Sequence, residues 1–250
     1  NALVKWQNFT ARHDLLYILF TDNHDQPFYI SRLGNDEELR YECATAYSAM
    51  FYLLKDIPFI YQGQEFGSAN SYYEDISCFN DVETLNYYKD NVNKKPREEL
   101  IRKINYGSRD NTRRPLAWTN DSPRYGFTGG NPWLKMPSRA DEINLEKDLS
   151  SDKSVFDFYK KVLELRKESD AIKFGDFKDI TVGKDCFVYE RIYEKERFII
   201  AVNFDKDSAI SLPDDISPDK FDAVLLNYRD TDPFNENFKP FEVKVYKQKK

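Results

Sequence analysis

The sequence predicts parallel α/β units over residues 1–171 followed by an antiparallel β domain over residues 172–250. Three observations carry that expectation. An apolar run at 15–20 (Leu15-Leu16-Tyr17-Ile18-Leu19-Phe20), a helical stripe over 37–55 and a second apolar run at 57–61 give strand, helix and strand with short links, which is a βαβ unit. Both runs end in polar residues, Asn23-His24-Asp25-Gln26-Pro27 after the first and Gln62-Gly63-Gln64-Glu65-Phe66-Gly67 after the second. Strand ends of that kind form the active-site side of a parallel barrel or sheet. From Phe174 the pattern changes to short alternating segments separated by Asp, Gly, Pro and Asn, as in an antiparallel sheet or sandwich.

The elements follow in order. Ala2-Leu3-Val4-Lys5-Trp6 resembles the middle of a helix, and with Asn rather than Met as first residue it suggests a chain that begins inside a larger gene product. In the 37–55 helix Tyr47, Met50, Phe51 and Leu54 form the buried stripe. Residues 68–140 form a long, aromatic-rich excursion of the kind that carries function. It holds two expected helices, near 81–92 and 96–106, and a Gly/Pro-rich stretch at 126–133. A further helix spans 152–168 with Val155, Tyr159, Val162 and Leu163 on one face. Strands are expected at 180–182, 186–193, 198–204, 221–227 and 241–246.

Composition excludes several classes. A net charge of −6 argues against nucleic acid, whose partners carry clustered Lys and Arg. Cys43, Cys78 and Cys186 are widely spaced and without C-x-x-C, so neither a disulfide framework, a metal site nor another cofactor is expected, and a reducing, cytoplasmic setting fits. No apolar stretch reaches the roughly 18 residues of a membrane span. The aromatic share of 16% suits a sugar ligand as well as a Tyr/Phe-rich core. Asn, His and Asp are also turn formers, so Asn23-His24-Asp25 alone reads equally as a turn.

Taken together, Asn23-His24-Asp25-Gln26-Pro27, Ser31-Arg32-Leu33-Gly34-Asn35-Asp36, Ile60-Tyr61-Gln62-Gly63-Gln64-Glu65, Asp81-Val82-Glu83-Thr84 and Ser108-Arg109-Asp110-Asn111 resemble one family in the right order. It is the oligo-1,6-glucosidase and α-glucosidase branch of the α-amylase superfamily, glycoside hydrolase family 13. The resemblance continues through Pro115, Trp118, 126–129 and Pro132-Trp133 to Arg166-Lys167 and into the β domain. It implies the C-terminal portion, strands seven and eight with their helices, of a TIM (β/α)8 barrel followed by a β-sandwich. Asp25 would be the family's third carboxylate, stabilising the transition state through the ring hydroxyls of the −1 sugar, with His24 as a donor beside it. Arg113 would pair with an acidic residue from the first part of the barrel and close that pocket, while Arg109 and Glu83 would contact the leaving group. Gln62 and Glu65 would brace the site, and Trp118 and Trp133 are expected in the core.

Phe28 stands where the family usually has Arg, Arg114 where it has Thr, and Ala117 where it has Gln. Phe28 is expected either to alter the acceptor side or to mark a site under relaxed constraint. A retaining glycosidase needs a nucleophile and an acid/base carboxylate about 5–5.5 Å apart. The family places both on earlier strands, so the resemblance implies a fragment of an exo-acting α-glucosidase for α-1,6 or α-1,4 bonds, inactive by itself. Its expected partners are an oligosaccharide and either the missing N-terminal barrel half or a self-associated copy. The alternative is a truncated or degenerate homologue that binds sugar or serves assembly without catalysis.

Overall fold

The computed structural model describes residues 2–204 and 206–249. Along them run α1 (Ala2–His13), β1 (Ile18–Leu19), α2 (Tyr29–Leu33), α3 (Arg40–Tyr52), β2 (Ile57–Pro58), α4 (Val82–Asn91), α5 (Arg97–Gly107), α6 (Asp110–Arg113), α7 (Leu145–Leu149), α8 (Val155–Glu168) and α9 (Asp170–Phe174). Strands β3 (Asp176–Asp179), β4 (Cys186–Tyr193), β5 (Glu196–Asn203), β6 (Ser208–Ala209), β7 (Phe221–Leu226), β8 (Asn237–Phe238) and β9 (Val243–Gln248) follow. They fold as two compact units that alternate along the chain. One comprises residues up to 19, 39–59 and from 157 onward; the other comprises 20–38 and 60–156.

In the first unit β1 and β2 pair in parallel, Ile18 opposite Ile57 and Leu19 opposite Pro58. The ladder is shorter than the apolar runs that predict it, and Leu15, Leu16, Tyr17, Ile18, Ile57 and Phe59 stand exposed. A strand extends only as far as its partners, and among the described residues this pair has no third strand. Asp56 ties the unit together. Its buried carboxylate accepts from the Tyr17 N–H at 3.0 Å and from the Gln7 amide at 2.5 Å, joining α1 to the turn before β2.

Helix α3 is buried nearly all round, not along one stripe. Its polar residues are matched locally: the Thr45 hydroxyl donates to the Tyr41 carbonyl and the Ser48 hydroxyl to that of Thr45. That is why a helix with so many small and polar residues can sit in a core. Arg166 of α8 donates through Nη1 to the Tyr52 and Leu54 carbonyls, at 2.9 and 2.7 Å, and through Nη2 to the Asp56 carbonyl. One guanidinium thus closes the C-terminal end of α3, where unpaired carbonyls carry negative partial charge.

The antiparallel sheet has the order β3-β4-β5-β9-β7. Register places Val188 opposite Ala201 and Ile199 opposite Tyr246, and these residues share a core with Phe221, with Ile210 just after β6, and with Phe238 of β8. On the opposite face the Tyr189 hydroxyl donates to the Met50 carbonyl of α3 at 2.9 Å, and the Tyr47 ring packs near Phe204 and Phe241. Both faces being covered, β5 reads as the continuous run Phe198-Ile199-Ile200-Ala201-Val202. The strand expected at 180–182 lies instead at Asp176–Asp179, because the hairpin partner of β4 is set by pairing of Asp179 with Tyr189. Beyond it the Ile180 N–H still donates to the Val188 carbonyl at 3.0 Å, while Asp179 accepts from the Thr181 N–H and bends the backbone out of regular pairing.

Arg166→Met should lower unfolding free energy by about 2–4 kcal/mol, since three carbonyls lose a charged donor. Arg166→Lys should recover only part, because an ammonium cannot span three acceptors in the guanidinium's planar fork. Urea denaturation of the three proteins checks both.

Candidate active site

The second unit builds its site from three short pieces: the turn 23–27, the start of α4 and the single turn α6. In the first, the Asn23 side-chain oxygen accepts from the Asp25 N–H at 2.8 Å. This Asx turn points the His24 and Asp25 side chains outward; they are 70% and 53% exposed. Asn23-His24-Asp25 is therefore both a turn and a presentation device.

Asp81 begins α4 as a helix cap, accepting from the Thr84 N–H and hydroxyl at 3.0 and 2.8 Å. Its own N–H and that of Asn80 donate to the fully buried Asp110 carboxylate, at 2.9 and 2.6 Å. Since Asp110 lies between Arg109 and Arg113, this grip carries both arginines to the α4 N-terminus. Four-residue spacing across one turn puts them on the same side.

Arg109 donates through Nε and Nη2 to Asp81 Oδ1 at 3.0 and 2.5 Å, and lies 3.5 Å from Glu83 and 3.7 Å from Asp25. Arg113 donates through Nη2 to Asp25 Oδ1 at 2.8 Å and through Nε to the His24 carbonyl at 2.7 Å, so one guanidinium holds two successive residues. His24 Nε2 lies 3.2 Å from the other Asp25 oxygen. Burial works to raise the Asp81 carboxyl, but Arg109 and Thr84 outweigh it and hold it below the ordinary carboxylate range. An open cleft of about 340 Å3 is lined by Asp25, Asp81, Glu83, Thr84, Tyr87 and Arg109.

Of the residues singled out in the sequence, Asp25, His24, Arg113 and Arg109 come together, with Glu83 at the rim, 77% exposed. Sequence reasoning missed Asp81 and Asp110, which organise the cluster. Asp81 was legible as a helix cap, three residues ahead of Thr84 and just before the 82–91 pattern; Asp110 carried no local signal. The brace after the second apolar run is Gln64, whose amide accepts from the Tyr61 N–H and donates to the Thr21 hydroxyl. Glu65 is half-buried with one oxygen unpartnered, and burial raises its carboxyl. The Tyr61 hydroxyl donates to the Thr112 carbonyl at 3.0 Å, tying that loop to α6.

Two expectations need correction. Trp118 and Trp133 are not core residues: they are 36% and 70% exposed, because both stand on the long irregular segment whose buried positions are taken by Leu116, Ala117, Tyr125 and Leu134. Phe28 does not face the site. It is buried, and lines one small cavity with Arg114 and Ala117, the other two departures from the family pattern. The Arg114 guanidinium sits 4.3 Å from the Tyr73 ring centre and donates to the Cys78 carbonyl at 3.1 Å.

Around these residues an acceptor carboxylate, an imidazole and two guanidiniums face solvent together, bringing donors and acceptors to one place. The family model "Alpha amylase, catalytic domain" matches residues 1–175, and the chain belongs to the α-amylase family. It is 35% identical to the oligo-1,6-glucosidase of Bacillus cereus over 253 residues, covering 99% of this chain and 45% of that protein. The oligo-1,6-glucosidase of Parageobacillus thermoglucosidasius is 37% identical, covering 92% and 42%. Among solved structures, Bacillus licheniformis trehalose-6-phosphate hydrolase superposes with a TM-score of 0.91 at 35% identity, over 100% of this chain and 46% of that one. The chain thus spans less than half the length of these relatives. Among the described residues no helix is long and apolar enough to cross a membrane, and no group of His, Cys, Asp and Glu could hold a metal ion.

Two tests follow from the buried groups. Burial pushes the Asp22 carboxyl up from 3.8 to about 7 against the opposing Tyr29 N–H and Arg32 charge. The folded state therefore binds the proton more tightly than the unfolded chain, and stability should be greatest below about pH 4 as far as this group is concerned. It should decline as pH rises toward 7, by at most about 1.4 kcal/mol per unit. Denaturation at several pH values should show that slope, and Asp22→Asn should flatten it. Phe28→Arg should be destabilising by several kcal/mol, because it places a second guanidinium at the cavity that Arg114 lines. Adding Arg114→Thr should recover much of the loss; strict additivity in a double-mutant cycle would show the two positions to be independent.

Proposed function

We propose that the chain is the C-terminal part of a retaining, exo-acting α-glucosidase acting on α-1,6 or α-1,4 glucosidic bonds at the non-reducing end of short oligosaccharides. The observation that carries this reading is Asp25, held outward by Asn23 and oriented by Arg113 in a cluster with Arg109 and His24. Residues 1–171 are read as the seventh and eighth strands of the (β/α)8 barrel with their helices and the substrate-recognition insertion, and 172–250 as the β-sandwich domain.

In this reading Asp25 accepts hydrogen bonds from ring hydroxyls of the −1 sugar. Those bonds tighten as the ring takes on oxocarbenium character, so they favour the transition state over the ground state. His24 donates to the same sugar, Arg113 closes the pocket over the non-reducing end, and Arg109 with Glu83 meets the leaving group. Asp81 cannot replace a missing nucleophile or acid, being neutralised by Arg109 and engaged by Thr84. The nucleophile and acid/base carboxylates are supplied by a segment equivalent to the remaining length of the relatives. The exposed apolar residues around β1 and β2 support a protein partner there, either that segment or a second copy of this chain. A cytoplasmic setting without metal or cofactor completes the reading.

The specific observation favouring the non-catalytic alternative is that same uncovered ladder, which suits an assembly module. A chromogenic α-glucoside separates the two. The chain alone should give no turnover, whereas the chain mixed with the N-terminal part of the Bacillus cereus relative should form a complex and turn substrate over. Asp25→Asn in that complex should lower kcat by at least about 10²–10³-fold with stability unchanged. Turnover by the chain alone overturns the requirement for outside carboxylates; a well-formed complex without activity favours the assembly reading.

A further inference from the structure

We propose that the Asp25 cleft extends past the leaving-group contacts into a further sugar-binding position between α4 and the end of α5, where a third unit of the substrate meets Tyr87 and Lys103. This rests on the α-glucosidase reading above and deepens it: the site favours oligosaccharides of three or more units over disaccharides. A single cleft of about 340 Å3 runs from Asp25 to these residues, with Arg109, Glu83 and Gly107 also on its walls. Arg113, which closes the non-reducing end in that reading, does not line it, so the cleft leaves Asp25 on the leaving-group side. The order along it follows from the helix. Arg109 lies 3.7 Å from Asp25 and 3.5 Å from Glu83, and Tyr87 stands four residues beyond Glu83 on α4. That spacing puts the Glu83 and Tyr87 side chains on one face, about 6 Å apart along the helix axis, a step comparable with one pyranose unit.

The position is held by packed groups. Its floor is closed by the buried Thr84 and Ser108 hydroxyls, 2.9 Å apart across the two helices, with Ile104 buried beside them. Tyr87 packs against the cluster of Cys78, Phe79, Leu100 and Ile104, so its ring is supported from within the unit while it lines the cleft half-buried. Lys95 fixes it further, with Nζ 5.7 Å from the ring centre and 3.4 Å from the hydroxyl. At Gly107, the last residue of α5, a Cβ would meet nothing within 4 Å beyond its chain neighbours. The wall there is backbone alone, which leaves the breadth of the cleft to the ligand.

Chemistry selects a neutral sugar as occupant. Asp25, Asp81 and Glu83 share the cleft with Arg109 and Lys103, so an anionic or a cationic ligand meets like charge, whereas hydroxyls use donors and acceptors together. Lys103 meets Glu99 at 3.1 Å, and an ammonium carries three N–H donors, which leaves capacity for hydroxyls. The Tyr87 ring supplies the apolar surface that the C–H groups of a pyranose need, and its hydroxyl a further polar contact.

The test is a titration of the 250-residue chain, followed by two-dimensional NMR, with isomaltose and isomaltotriose and in parallel with maltose and maltotriose. For the linkage the site accepts, the trisaccharide should bind about five- to tenfold more tightly than the disaccharide. Tyr87→Ala should remove that difference by weakening the trisaccharide. Because Tyr87 also packs in the α4–α5 cluster, Gly107→Leu serves as a second variant: it fills the same space without removing a contact, and should abolish the preference while altering the disaccharide little. Asp25→Asn should weaken both lengths. A trisaccharide preference that survives either cleft variant, or equal affinity for the two lengths with Asp25→Asn still impaired, overturns the third position and leaves the Asp25 reading in place. Absence of saturable binding of all the sugars to the unsubstituted chain overturns the Asp25 reading and the extension with it.

Discussion

The site depends on the grip of one buried carboxylate, Asp110, on the N–H groups of Asn80 and Asp81. Everything near Asp25 is downstream of it. The grip fixes the first turn of α4, which presents Asp81. Because Asp110 is flanked by Arg109 and sits three residues before Arg113, it also delivers two guanidiniums to one place. Its second oxygen has no partner and the residue is fully buried, so the arrangement retains an uncompensated polar atom. A protein keeps such a defect where geometry is worth more than local stability.

The two arginines divide their work by where their acceptors sit. Arg109 meets a buried carboxylate that is already a helix cap and is thereby immobilised. Arg113 meets an exposed carboxylate and a backbone carbonyl from one turn, and so immobilises that turn in its own right. The outward-facing Asp25 is thus positioned without being buried, and in the proposed reading its remaining acceptor capacity is left for hydroxyls. Preorganisation of this kind lets a carboxylate strengthen its bonds as charge develops on a sugar ring instead of first reorienting. The departures at Phe28, Arg114 and Ala117 converge on one cavity wall away from the Asp25 carboxylate.

Legibility followed the physics of each element. Strands β4 and β5 were read nearly to the residue because both faces of the sheet are buried, which leaves β5 an unbroken apolar run and β4 one interrupted only by Glu190 and Arg191. Helices α4 and α5 were read from their apolar periodicity alone; α4 also has a side-chain cap in Asp81, whereas α5 follows Pro96 without one. The β1–β2 ladder was overestimated, since an apolar run reports what a strand could pair with and not what it does pair with. Helix α3 was read as amphipathic from the stripe of Tyr47, Met50, Phe51 and Leu54, whereas in space Thr45 and Ser48 are buried as well, their hydroxyls satisfied by their own helix. Trp118 and Trp133 went the other way: large aromatics suggest a core, but on irregular backbone there is no period to say which side chain faces inward.

The sequence by itself determined the family, the order of the elements and the residue types at the site, because caps, turns and apolar periods act over a few residues and leave their mark in the chain. Tertiary structure alone decided that Arg109 meets Asp81, that Arg113 turns back 88 residues to Asp25, and that Phe28 faces a cavity. Those are contacts between segments far apart in the chain. Their selection rests on buried hydrogen bonds such as those of Asp110, whose partners no local pattern encodes.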